Sequence, residues 1–119
     1  MSFSQIVIIG HIGNEPELKY TKNQTAILNL SIGVPEKLSP RAPMERKPKT
    51  YWHKCRRWGK NAEQLKTSLR KGDKLFIKGT LIYESWQDKT GSWHKDAIIE
   101  IEYSEKMYFE NISIDLDSF

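Results

Sequence analysis

Residues 50–79 read TYWHKCRRWGKNAEQLKTSLRKGDKLFIKG. The character of the chain changes twice within them. From Thr50 to Trp58 aromatic and charged residues interleave on a two-residue period, which predicts a strand. From Asn61 to Arg70 the period lengthens: Leu65 and Leu69 fall four apart, Asn61 is placed to cap, and Lys71-Gly72 ends the run. A short helix is expected there. From Leu75 a β-rich run resumes and continues to Trp86, with Gly79 inside it as an expected bend or bulge.

The flanking chain supplies the remaining strands. Gln5 to Ile12 is rich in Ile and Val, and Gly10, Gly13, Asn14 and Pro16 are read as breaking it. Thr25 to Val34 alternates, with Leu28, Leu30, Ile32 and Val34 on one face. Pro35 to Pro48 holds four prolines and no period, so it reads as a long loop. Asp88-Lys89-Thr90-Gly91 reads as a hairpin turn, and Trp93 to Tyr103 as the returning strand. Five strands with one short helix between the third and fourth is the order of an all-β OB-fold barrel.

Composition narrows the function classes. A chain of 119 residues suits one domain. An aromatic share of 11% is too rich for a disordered segment. No apolar run approaches the roughly 20 residues that span a bilayer, and Met1 to Ile12 has neither the basic start nor the cleavage site of a signal peptide. A cytoplasmic location without membrane attachment is expected. Cys55 is the sole cysteine, so an intrachain disulfide and a four-cysteine zinc site are both excluded. His53 and Cys55 share a strand face, but two ligands do not make a metal site. No Gly-x-Gly-x-x-Gly or Walker pattern is present. Neither catalysis, nor a metal, nor a cofactor is expected.

Net charge is +4, and its placement is uneven. Eight cations fall between Arg41 and Lys60, Lys47 and Lys49 among them, against Glu45 alone; six anions fall between Ala97 and Phe119 against Lys106 alone. A cation run by itself is most simply a solvated loop. Here it is interleaved with rings. Strand alternation puts Trp52, Lys54, Arg56 and Trp58 on one face, and Phe76, Lys78, Thr80, Ile82, Glu84 and Trp86 on one face of the next strand. If these faces coincide, rings and cations form one patch. Unpaired bases stack on aromatic rings, and their phosphates need cations. A core face would not hold Lys54 and Arg56 between Trp52 and Trp58; for Phe76 a core place and a platform place both stay open.

These blocks resemble the bacterial-type single-stranded DNA-binding proteins. The run from Ile9 to Tyr20 is similar to the family's first strand and turn, Gly-x-Leu-Gly-x-Asp-Pro-Glu-x-Arg-Tyr. Trp52-His53-Lys54 and Trp58-Gly59-Lys60 resemble its Trp-His-Arg and Phe-Gly-Lys. Leu69-Arg70-Lys71-Gly72, Ile77-Lys78-Gly79 and Trp86-Gln87-Asp88-Lys89-Thr90-Gly91 follow in family order, and Met107-Tyr108-Phe109 resembles the end of the barrel. The resemblance implies a single-stranded DNA-binding domain over 1–109 and a short acidic tail over 110–119. It implies largely sequence-independent binding and protection of single strands in replication, recombination or repair, by a homotetramer or, alternatively, a dimer. Stacking roles carry over to Trp52, Trp58 and Trp86, with an aromatic position at Phe76. Phosphate contacts carry over to Lys60 and Lys71, with Lys19 at a basic position. His53 falls near a subunit interface, to which Ile6 and Ile8 are also assigned. Asp115, Asp117 and Phe119 are similar to the acidic tip that docks on replication and repair proteins; a chance acidic end or a final strand is the plainer reading of the same residues.

The departures are specific. Leu38 stands where many relatives place a tryptophan, and Ile82 and Glu84 replace basic residues before the hairpin. Arg57 falls at an inward apolar position, where it either snorkels to the rim or marks a bulge. The competing readings are a primosomal accessory barrel that works as a dimer and bridges proteins, and an adaptor that acts through the acidic tail.

Overall fold

The computed structural model describes residues 2–41, 44 and 46–108. Strands β1 (Ile6–Ile12), β2 (Glu17–Tyr20), β3 (Ala26–Pro35) and β4 (Thr50–Trp58) precede helix α1 (Lys60–Ser68). Strands β5 (Lys74–Gln87) and β6 (Trp93–Met107) follow it. The sheet runs β1-β5-β6-β4-β3-β2, and β1 also pairs with β3. That last pairing closes β1, β5, β6, β4 and β3 into a ring of five strands, as an OB-fold requires. Every pairing is antiparallel except β4 with β6.

The core follows from alternation. Ala26, Leu28, Leu30 and Ile32 of β3 point inward and meet Cys55, Leu75, Ile77, Ile99 and Ile101. Ala62 and Leu69 close the cluster from the helix and its exit. Cys55 is 2% exposed, and burial pushes its thiol up to about 12. Arg57 also faces inward. The β3–β4 register runs unbroken past it, so no bulge is needed; its guanidinium reaches the backbone carbonyl of Ile101 at 2.6 Å.

Three expectations need correction. The ring has the five expected strands, but β2 is a sixth, paired on the edge of β3. With four residues, only Leu18 of them half-buried, it carries too little alternation to be seen in sequence. Asn61 does not cap α1. The chain turns into the helix one residue after β4, through Gly59 at φ +82°, so Asn61 already lies in the first turn. The helix also ends at Ser68 rather than Arg70, because Leu69 leaves it in an extended conformation and is buried.

Gly79 is the site of the bulge. Lys78 pairs with Tyr103 but Gly79 with Ile101, so Glu102 is the extra residue. A Cβ at Gly79 would run into the backbone carbonyl of Glu100. Gly79→Ala is therefore expected to destabilise the fold by ~1–3 kcal/mol, as overpacking does, read as a lowered midpoint in urea unfolding at unchanged slope.

Candidate nucleic-acid interface

The parallel pairing of β4 with β6 brings two outer faces together. Lys54 lies opposite Ile98 and Arg56 opposite Glu100, while Ile98 and Glu100 lie opposite Ile82 and Thr80 of β5. On the other side, β3 places Gly33 beside Trp52 and Ile27 beside Trp58. Trp52 and Trp58 thus stand at the two ends of β4 on the outer face, and Trp86 stands further along β5. They are 59%, 42% and 45% exposed. No core place is available to them.

Each indole is held by a local device. A Cβ at Gly33 would lie 2.8 Å from Cζ3 of Trp52, and one at Gly13 would overlap the same ring. Gly33 of β3 and Gly13, one residue past β1, thus leave a seat on which the six-membered ring rests. The indole N–H of Trp58 donates to Oε2 of Glu100 at 2.6 Å, and the Arg56 guanidinium lies 5.7 Å from the ring centroid. The indole N–H of Trp86 donates to Oδ2 of Asp96 at 3.0 Å. Its ring stacks on His94, with centroids 4.5 Å apart and planes 21° off parallel. His94 is in turn 2.7 Å from Asp88. The Thr90 hydroxyl, and then His94, hold the Asp88 carboxyl down at about 2.

The cations between the rings are already engaged. Arg56 makes a bidentate pair with Glu84 at 2.8 and 2.9 Å and lies 3.7 Å from Glu100. Hydrogen bonding to Glu84 raises the Arg56 pKa, and the same contact lowers that of Glu84. Lys54 pairs with Asp96 at 2.9 Å, and that contact holds the Asp96 carboxyl below the usual range. Two cations thus meet three carboxylates on this face. A groove of about 300 Å³ runs among them, lined by Asn14, Asn29, Lys54, Arg56, Glu84 and Asp96.

The other expected residues fall around this face. Lys60 opens α1 next to Trp58, and Lys19 of β2 lies across Ile27 from Trp58, 3.3 Å from Glu17. Lys71 is exposed in the turn before β5, and Lys47 and Lys49 are exposed before β4. Phe76 and Lys78 are outward and half-buried, but they lie past the bulge. There they adjoin β1 and the end of β6, and Phe76 packs edge-on against Tyr103 at 6.1 Å. Phe76 keeps the outward parity of Trp86 and lies ten residues from it along β5. His53 is half-buried on the inward side of β4. Ile6 and Ile8 pack against the core, while Val7 and Ile9 are the exposed apolar residues of β1. Asp115, Asp117 and Phe119, and the boundary expected after Phe109, lie outside the described residues.

Sequence reading did not name Asp96 and Glu100, nor the glycine seat. Asp96 and Glu100 alternate with the inward Ile99 and Ile101, but only ring closure sets them against β4.

Among the described residues no group of three or more His, Cys, Asp or Glu is placed to hold a metal, and no helix is long and apolar enough to cross a membrane. A family model described as "Single-strand binding protein family" matches residues 3–109. The chain therefore belongs to the single-strand binding protein family, non-enzymatic proteins that bind single-stranded DNA in replication and repair and typically oligomerise.

Proposed function

We propose that this chain holds single-stranded DNA by stacking bases on Trp52, Trp58 and Trp86, with phosphates met by lysines at the edge of the face. The supporting observation is three open indoles on adjoining outer strand surfaces, each held by a seat or an N–H bond. Stacking tolerates every base, because every base has a π face. Binding on this reading is largely independent of sequence and protects the strand without chemistry. The assembly is a homotetramer, and residues 110–119 act as a partner-docking tail.

The charge ladder divides the cations into two groups. Lys54 and Arg56 have carboxylates already, so a phosphate must displace one to gain them. Lys60 and Lys71 make no ion pair among the described residues. Their binding to phosphate releases counterions with no internal loss. The three carboxylates also favour a second reading, in which the barrel mainly docks proteins. Oligo-dT separates the two: stacking quenches tryptophan emission, and a protein adaptor shows no quenching.

Trp52→Ala is expected to weaken oligo-dT binding by ~1–3 kcal/mol without unfolding the chain, measured by fluorescence titration at matched salt. Equal affinity would remove Trp52 from the platform. Lys60→Ala and Lys71→Ala should each reduce the slope of log Kobs against log salt by about 0.7, the single-strand value per phosphate contact. Lys54→Ala should leave that slope nearly unchanged. Deleting Asp115 to Phe119 should leave affinity equal or higher, since an anionic tail competes with phosphate; a large loss would make the tail part of the fold.

A further inference from the structure

The β5–β6 hairpin outruns the barrel. Strand β6 pairs with β4 only around Ile98 to Glu100, whereas β5 and β6 stay paired out to Gln87 opposite Trp93. Beyond Tyr83 opposite Ala97 the hairpin is a two-stranded ribbon with two free faces. One face carries Glu84, Asp96, Trp86 and His94. The other continues the inward face of the barrel. Its next inward pair, Leu81 opposite Ile99, packs with the core, and from there outward its side chains emerge into solvent.

This second face carries Tyr83, Ser85 and Gln87 from β5, facing Ala97, Lys95 and Trp93 from β6. Trp93 is 70% exposed, the most open tryptophan of the chain, and Tyr83 is 62% exposed. The Lys95 ammonium lies 5.4 Å from the Tyr83 ring centroid. No carboxylate stands on this face, whereas Glu84 and Asp96 both stand on the opposite one. Rings and an ammonium group without a counter-anion suit a polyanion with exposed π faces. They suit an apolar peptide less, since a two-stranded ribbon offers no groove for one.

We propose that the Tyr83–Lys95–Trp93 face of the hairpin is a second contact surface for single-stranded DNA, so that a strand folding over the ribbon is gripped on both sides. Trp93 and the His94 that stacks on Trp86 are consecutive residues pointing to opposite faces. A strand leaving Trp86 therefore meets Trp93 by crossing one ribbon. From Trp93 to the Tyr83 pair is four residue steps, or ~13 Å along the strand. The inference rests on the stacking function proposed above and adds a binding surface to it.

The test uses the full chain and two probes. One is an oligo-dT of ~8 nucleotides, within the ~4–16 that one OB barrel spans; the other has ~60 nucleotides. Trp93→Ala should weaken binding of the long probe by at least ~5-fold, the lower end for one lost stack, and bind the short one nearly as before. Trp93→Phe should restore the long-probe affinity. In a chain carrying Trp52→Phe, Trp58→Phe and Trp86→Phe, the remaining emission comes from Trp93, and the long probe should quench it. Unchanged Trp93 emission, together with unchanged affinity of Trp93→Ala, would overturn the second surface while leaving the first intact. A wild-type chain that binds neither probe would instead overturn the function on which it rests. If Trp93→Ala changes the mass seen by light scattering but not the affinity per subunit, the face belongs to another copy of the chain and the proposal fails.

Discussion

Three parallel rungs, Lys54 with Ile98, Cys55 with Ile99 and Arg56 with Glu100, join β4 to β6 and complete the barrel. Parallel pairing cannot be made by a tight turn. Here the connection runs through α1 and the whole of β5 before β6 returns. The cost in chain entropy is offset inside, where Cys55 and Ile99 bury their side chains against β3. The consequence outside is that residues more than forty positions apart share one surface. Without these rungs Trp58 has no Glu100 and Lys54 has no Asp96.

The ion pairs on that surface are better understood as geometry than as stability. Lys54–Asp96 is largely exposed, and such pairs contribute little. Arg56 is different in degree, with 16% of its side chain exposed and both carboxylate oxygens of Glu84 engaged. Its bidentate fork fixes the plane of the guanidinium, and that group flanks Trp58. The carboxylates act on the rings through the same bonds. Glu100 and Asp96 each accept an indole N–H and a cation's charge, so ring orientation and charge neutralisation are one network.

What could be read from the chain was what depends on near neighbours. Alternation placed Leu28, Leu30 and Ile32 inside and Trp52 and Trp58 outside, because each residue's face is set by its own strand. The Asp88 turn and the Gly79 bulge were legible for the same reason. What failed needed distant information. The strand β2 exists because β3 offers an edge, and four residues of its own do not announce it. Phe76 shares a parity with Trp86, and its place beside Ile9 of β1 could not be read from that parity. Glu84 was legible as a lost basic position, while its role as the partner of Arg56 depends on ring closure.

The placement of charge then constrains how a strand could lie. The chain as a whole is cationic at +4, yet its aromatic face holds two cations against three carboxylates. A phosphate over Glu84 would pay repulsion and give up no counterion of its own to Arg56 while Glu84 remains bound. Lys60 at the helix start and Lys71 before β5, which make no ion pair among the described residues, stand aside. On the stacking function proposed here, bases face the ladder and the backbone follows the rim. A face that is net anionic at its centre and basic at its edge orients the polymer as well as attracting it, because only one of its two sides is tolerated over the carboxylates.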